Sequence, residues 1–77
     1  MVEVTRRLDA TQLRCPLPLL KAKKALNEMA VGEVLEVHAT DPGSERDFKV
    51  FAQQSCHEML NFHENAGVFI YLLRKGS

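Results

Sequence analysis

The spacing of apolar residues changes twice within the first half of the chain, and this limits the possible folds more than any other feature. Apolar residues alternate with polar ones over 2–8, recur at helical spacing over 19–29 and alternate again over 35–39. The pattern predicts a strand, a helix and a second strand. Because a helix joins them, the two strands are expected to run parallel in one sheet.

Proline and glycine mark the ends of the first helix. Pro16 is expected to be its first residue, because proline lacks the N–H that would have no partner there, and Gly32 follows its last turn. The predicted apolar face comprises Leu19, Leu20, Ala22, Ala25, Leu26 and Met29. The strand before this helix is expected to end at Asp9, and Arg6 falls on its apolar side.

A shorter helix and a hairpin are predicted after the turn at 41–43. Ser44 and Asp47 have the spacing of a capping box, and Phe48, Phe51 and Ala52 form the apolar face of a helix that ends near Cys56. Leu60 and Phe62 then alternate with polar neighbours and predict a third strand. The turn residues at 65–67 connect this strand to a last strand over 68–74.

These elements define an α+β fold with the order β-α-β-α-β-β. We expect a two-layer α/β sandwich, in which a four-stranded mixed sheet carries both helices on one face. The other face is expected to be open, with the second apolar set of the last strand partly exposed. A length of 77 residues with 45% hydrophobic side chains suits a single domain over 1–77.

The charge balance argues against direct binding of nucleic acid. Ten basic and ten acidic side chains give a formal net charge of zero, whereas domains that bind nucleic acid are usually strongly basic. The longest apolar run, over 68–73, is too short to cross a bilayer, and residues 1–9 lack the apolar stretch of a secretory signal. We therefore expect a cytoplasmic monomer that binds no membrane.

The two cysteines, Cys15 and Cys56, do not form a CxxC pair, so a zinc ribbon or a thioredoxin-like motif is not indicated. His38, His57 and His63 have no metal-binding spacing with them, and no metal is assigned. A thiol redox protein using both cysteines remains an alternative, which requires their Cα atoms to lie within about 7 Å. Cys56 is otherwise expected to pack at a helix end.

Cys15 occupies the expected N-cap of the first helix. Since Pro16 and Pro18 have no N–H, the Leu17 amide is the natural donor to the sulfur. The positive end of the helix dipole would also favour a thiolate, so we expect a lowered pKa and a reactive sulfur. The alternative is a buried structural cysteine, which is common among free cysteines.

The motif around this cysteine resembles that of the TusA/SirA-like sulfur-carrier family. Asp9-Ala10 followed by Leu13-Arg14-Cys15-Pro16-Leu17-Pro18 is similar to the family's Cys-Pro-x-Pro signature. Asp41-Pro42 with Arg46-Asp47 resembles the family's second loop and helix start, and residues 71–76 resemble its closing strand.

The resemblance implies a relay in which Cys15 takes sulfane sulfur from a cysteine desulfurase and passes it, as a persulfide, to a downstream sulfur-accepting protein. Such a chain acts as a sulfurtransferase-type cosubstrate that a partner recharges, and it needs no separate cofactor. Synthesis of 2-thiouridine in tRNA is the favoured destination. Sulfur oxidation, selenium handling and regulation are associated with other members of the family.

Several neighbours of Cys15 are candidate supporting residues. Asp9 would brace the cysteine loop, and Arg14 would keep a thiolate or persulfide ionised. The lysines of the first helix and the Arg46-Asp47 pair could dock a partner, but a solvated helix face is the favoured explanation of the lysines and a helix N-terminal acid that of Asp47. These docking candidates are Lys21, Lys23, Lys24, Arg46 and Asp47. A third hypothesis is a non-catalytic module that binds protein or RNA.

Overall fold

A computed structural model describes residues 3–76 and contains the six predicted elements in the predicted order. They are β1 (Arg6–Ala10), α1 (Leu17–Asn27), β2 (Val34–Ala39), α2 (Ser44–Gln54), β3 (Glu58–Asn65) and β4 (Val68–Arg74). No helix in this part of the chain is long and apolar enough to cross a membrane.

The four strands form one mixed sheet in the order β1-β2-β4-β3. β1 pairs in parallel with β2, as the connecting helix α1 requires, and the pairs β2–β4 and β4–β3 are antiparallel. Both helices pack on one face of the sheet, so the two-layer sandwich predicted from the sequence is confirmed. Parallel pairing brings the loops that follow β1 and β2 to the same edge of the sheet.

The core lies between this sheet and the two helices. Most of its strand residues come from the two central strands and are fully buried, as is Ala10 at the end of β1; those of the central strands are Leu35, Val37, Ala39, Tyr71 and Leu73. Leu26 of α1 and Phe48 of α2 cover them from the helical layer. The Phe48 ring stacks on Tyr71 with 4.4 Å between ring centroids, which fixes α2 against the middle of the sheet.

The opposite face of the sheet is open, as predicted. Val68, Ile70 and Leu72 alternate with the core residues of β4 and are half-buried. Polar residues of β2 lie beside them, where Glu36 accepts a hydrogen bond from His38 over 2.8 Å. Its carboxylate also pairs with Arg7 of β1.

The first strand and first helix differ from their predicted bounds. β1 begins at Arg6 and ends at Ala10, one residue beyond the predicted end; the part of the prediction that involved Val2 lies outside the described residues. α1 begins at Leu17, with Pro16 as its N-cap, and ends at Asn27, well before Gly32. The chain leaves the helix early because the amide N–H groups of Glu28 and Met29 bond carbonyls of its last turn.

One residue of the predicted apolar face of α1 is exposed. Leu20 is 50% exposed and Leu17 is 45% exposed. In contrast, Ala22, Ala25 and Leu26 are buried. The covered stripe is narrower than predicted because only α2 and the sheet pack against this helix. Two large apolar side chains therefore remain on the surface near the start of α1.

A β-bulge at Leu60 changes which side chains of β3 face the core. The register of β3 against β4 shifts between Met59 and Asn61, so Met59 and Phe62 share the core side. The predicted pairing of Leu60 with Phe62 on one face is therefore wrong. The following turn agrees with prediction: Ala66 and Gly67 have φ values of 51° and 84°, as a two-residue hairpin turn requires.

Candidate functional site

Cys15 lies on the surface in the loop that joins β1 to α1, and its side chain is exposed. The peptide bond between Cys15 and Pro16 is cis. The alternative of a buried structural cysteine is therefore wrong, and the sulfur is within reach of a partner protein.

The start of α1 does not bind the sulfur as predicted. Pro16, not Cys15, is the N-cap, and no side chain caps the helix. The Leu17 amide donates to the Arg14 carbonyl over 2.8 Å, so it has no hydrogen to offer the sulfur. The expectation failed because the loop closes its own tight turn before the helix begins.

The polar partners of Cys15 come instead from the segment around the start of α2. The thiol donates to Oδ2 of Asp47 over 2.5 Å. The Cys15 amide donates to Oδ2 of Asp41 over 3.2 Å. Two carboxylates, one on the β2–α2 loop and one in the first turn of α2, thus hold the cysteine from the same side.

Gly43 permits this close approach of the two loops. A Cβ atom at position 43 would lie 3.0 Å from Oδ2 of Asp41 and 3.6 Å from Cβ of Cys15. A side chain there would push against the aspartate that binds the cysteine amide. The small residue predicted only to end β2 therefore also makes room for the site.

These contacts raise the pKa of the Cys15 thiol. The largest cause is the hydrogen bond to Asp47, followed by desolvation and by the negative charges of Asp47 and Asp41. The expected lowering of the Cys15 pKa is therefore wrong. A full negative charge in contact with the sulfur outweighs the partial positive charge of a helix end, which is about half an elementary charge. Arg14 is exposed and does not contribute to the shift.

Ser44 and Asp47 do not form the predicted capping box. Gly43 is the N-cap of α2, and Ser44 is buried inside the first turn, where its hydroxyl bonds the Tyr71 hydroxyl over 2.7 Å. Asp47 points its carboxylate at Cys15. Sequence reasoning favoured a purely local role for Asp47, because a contact between residues 32 positions apart leaves no periodic signal.

Asp9, near the end of β1, begins a hydrogen-bonded turn that leads into the cysteine loop. Its Oδ1 accepts bonds from the amide and the hydroxyl of Thr11, over 3.0 and 2.6 Å, and these bonds lower the pKa of Asp9. The next amide, of Gln12, donates to Oγ1 of Thr40 over 2.9 Å. The loop that carries Cys15 is thereby tied to the end of β2.

The remaining candidate residues are cations that do not form one cluster, since Lys21 and Lys24 lie with Arg6 and Glu28 on another part of the surface. All are exposed, and within residues 3–76 none pairs with a carboxylate; they are Arg14, Lys21, Lys23, Lys24 and Arg46. Lys23 and Arg46 line a groove of about 610 Å³ between α1 and α2, together with Asp47 and Phe51. The Lys23 ammonium lies 5.5 Å from the centre of the Phe51 ring.

Cys56 is remote from this site. It follows the last turn of α2, whereas Cys15 contacts the first turn of the same helix. Eleven residues of α-helix span about 16 Å at about 1.5 Å per residue. A disulfide between the two cysteines is therefore excluded by distance, and the redox-pair alternative fails.

Histidine, cysteine, aspartate and glutamate side chains of residues 3–76 include no group of three or more that could hold a metal ion. What the site offers is one exposed thiol with a carboxylate as its hydrogen-bond acceptor. Such a group can attack an electrophilic sulfur once it has lost its proton.

The fold and this exposed cysteine define a small α/β domain of the SirA-like type. The crystal structure of the SirA-like protein from Desulfitobacterium hafniense superposes with a TM-score of 0.82, covers 95% of this chain and 100% of its own, and is 25% identical. The family model described as Sulfurtransferase TusA matches residues 6–75. The chain therefore belongs to the TusA family of sulfur carriers.

Curated relatives agree with this assignment. The sulfur carrier protein TusA of Allochromatium vinosum is 49% identical over 75 residues, which cover 97% of this chain and 99% of the relative. The putative sulfur carrier protein YrkF of Bacillus subtilis is 42% identical over 99% of this chain, which spans only 41% of that longer protein.

Proposed function

We propose that this chain carries sulfane sulfur as a persulfide on Cys15, from a cysteine desulfurase to a downstream sulfur-accepting protein. One observation carries the proposal: the cysteine of the Cys-Pro-Leu-Pro motif is exposed, in a chain that belongs to a family of sulfur carriers. A carrier must present its sulfur to two partners in turn, which a buried thiol cannot do.

The proposed loading step exchanges one sulfur–sulfur bond for another. The Cys15 sulfur gives up its proton and attacks the outer sulfur of a persulfide on the desulfurase. The bond between that sulfur and the desulfurase cysteine breaks, and the departing thiolate takes up a proton. Unloading repeats the exchange with a thiol of the acceptor, so neither step needs an added oxidant, reductant or cofactor.

Synthesis of 2-thiouridine in tRNA is the proposed destination of the sulfur. The similarity to the family around the cysteine, in the second loop and at the carboxyl terminus is the reason for favouring this branch. The carrier would act in the cytoplasm as a monomer and meet other proteins rather than the tRNA itself, which suits its zero net charge.

Exposed cations of α1 and α2 are proposed to dock partner proteins. Lys21, Lys24 and Arg46 have no carboxylate partner within residues 3–76, so pairing with an acidic partner surface would break no internal ion pair. Exposed Leu17 and Leu20 add apolar surface near Cys15. Asp9 would keep the loop in one conformation through its bonds to Thr11.

Intact-protein mass spectrometry tests the loading step. The chain is incubated with a cysteine desulfurase and cysteine, and Cys15→Ser and Cys56→Ser are treated in parallel. We expect a gain of one sulfur atom, removable by a reducing agent, in the native chain and in Cys56→Ser but not in Cys15→Ser. Loading that persists in Cys15→Ser, or is absent from every chain with several active desulfurases, would refute the proposal.

The destination needs a separate measurement. A bacterial strain that lacks its own sulfur carrier is supplied with the native chain or with Cys15→Ser, and 2-thiouridine is measured in its tRNA. Recovery with the native chain alone is expected. A chain that loads sulfur in vitro but restores no 2-thiouridine would point to another acceptor.

A further inference from the structure

The environment of Cys15 is the reverse of the one that usually activates a cysteine. Reactive cysteines lie beside cations or helix N-termini, which stabilise the thiolate. Here Asp47 accepts the thiol hydrogen and Asp41 accepts the hydrogen of the same residue's amide. The charges that act on the sulfur are both negative, and the pKa of the thiol is raised accordingly.

The chain's own cations do not pair with the two carboxylates that contact Cys15. Arg46 precedes Asp47 in α2 and Arg14 precedes Cys15 in the loop, yet both are exposed and neither pairs with a carboxylate within residues 3–76. Asp47 is only half-buried and lines the groove between the helices. A group on another protein can therefore reach its carboxylate.

We infer that Asp47 restrains Cys15 as a protonated, slowly reacting thiol in the free chain, and that a cationic group of the sulfur donor releases it by pairing with Asp47 and Asp41. The restraint is a property of this chain alone. Only the identity of the releasing partner rests on the proposed function.

The release can be followed atom by atom. A donor ammonium or guanidinium takes the place of the thiol hydrogen on Oδ2 of Asp47, and the hydrogen bond from sulfur breaks. With both carboxylates neutralised, the thiol loses its proton more readily, and the departing donor thiolate accepts it. Carboxylates are ordinarily far weaker bases than thiolates, so Asp47 is a positioning residue rather than the final proton acceptor.

Alkylation by iodoacetamide across a pH series measures the restraint without any sulfur donor. All chains carry Cys56→Ser, so that only Cys15 reacts. We expect Asp47→Asn to move the pH–rate midpoint to lower pH. For each unit of that shift, about tenfold more thiolate forms at pH 7, and its lower nucleophilicity leaves a net gain of about threefold in rate.

Glu45→Gln is the matched control, since Glu45 is also an acid in the first turn of α2 but pairs with Lys49 rather than with Cys15. It should leave the midpoint unchanged. Thermal unfolding of each variant checks that the fold is retained, and Asp47→Ser provides a second variant if Asp47→Asn does not fold. An unchanged or higher midpoint in a folded Asp47 variant would overturn the inference.

A pair of thiol reagents of opposite charge tests the release by cations, with a small free thiol as the reference for their intrinsic rates. Methanethiosulfonates bearing a trimethylammonium or a sulfonate group each form a mixed disulfide with Cys15 and release methanesulfinate. Relative to this reference, we expect the cationic reagent to react faster with Cys15, and the preference to fall at least severalfold in Asp47→Asn. Equal relative rates, or a preference that survives removal of the carboxylate, would count against release by a cation.

Discussion

The two ends of α2 each lie beside a cysteine, but they are held in different ways. At the N-terminal end, buried Ser44 and Phe48 fix the helix to Tyr71 in the centre of the sheet. At the C-terminal end, Phe51 is half-buried, and His57 accepts a hydrogen bond from the Gly76 amide over 3.1 Å.

The difference shows how this fold places polar groups around an exposed sulfur. Cys15 lies on a loop, yet its carboxylate partner Asp47 is one residue from the most deeply packed aromatic ring of α2. Cys56 follows the other end of the helix, where the packing is weaker. Exposure does not distinguish Cys15 from Cys56, since both are exposed. What distinguishes them is how firmly the neighbouring end of α2 is packed against the core.

Truncation of the two phenylalanines of α2 should reveal the largest difference between these ends. Phe48→Ala removes a fully buried ring and should lower the free energy of unfolding by about 3–5 kcal/mol. Phe51→Ala removes a half-buried ring and should cost about 1–2 kcal/mol. Urea unfolding measures both. Equal losses would mean that the two ends are packed equally well.

The buried hydroxyl pair should give an intermediate effect. Tyr71→Phe leaves the Ser44 hydroxyl, which is 1% exposed, without its partner, and should cost about 1–3 kcal/mol. Adding Ser44→Ala removes the unpaired group, so the double variant should be more stable than Tyr71→Phe alone. If the double variant loses the sum of the two single losses, the hydroxyls do not act as a pair.

The C-terminal end should show a smaller, pH-dependent effect. Burial and the nearby Lys75 charge lower the pKa of His57 in the folded chain, and its neutral ring accepts the Gly76 hydrogen bond. The unfolded chain therefore takes up this proton first as the pH falls through about 6.5, and stability decreases below that pH. His57→Gln should show a weaker decrease between pH 7 and pH 5.

His63→Gln is the control for this prediction, because His63 is exposed on β3. Its stability should follow that of the native chain over the same pH range. If the native chain and His57→Gln show the same change in unfolding free energy with pH, His57 contributes nothing to the pH dependence.

The order of elements could be predicted because each one has its own apolar spacing. Alternation over 35–39 and helical spacing over 19–29 arise from burial on one face, which is a local property of the sequence. The bulge at Leu60 could not be predicted, since one extra residue in a strand is visible only against its partner strand. The early end of α1 could not be predicted either. Met29 remains buried after the helix has ended, so the helical spacing of apolar residues continues past the last helical residue.

The candidate site was predicted only in part. The Cys-Pro-Leu-Pro motif identifies Cys15, because a cysteine flanked by prolines at a helix start is an unusual local feature. The charge on its surroundings was predicted with the wrong sign. Local reasoning considers the helix that follows the cysteine, whereas the acids that bind it come from a loop and helix about 30 residues away.

The bulge in β3 has a consequence for how molecules of this protein meet one another. β1 and β3 form the two edges of the sheet, where unpaired backbone groups invite a strand from another molecule. Arg6, Arg7 and Asp9 place charges along one edge, and the bulge at Leu60 interrupts the regular hydrogen-bonding row of the other. Both edges are thereby poor templates for aggregation, and the chain can keep its apolar β4 in the interior of the sheet.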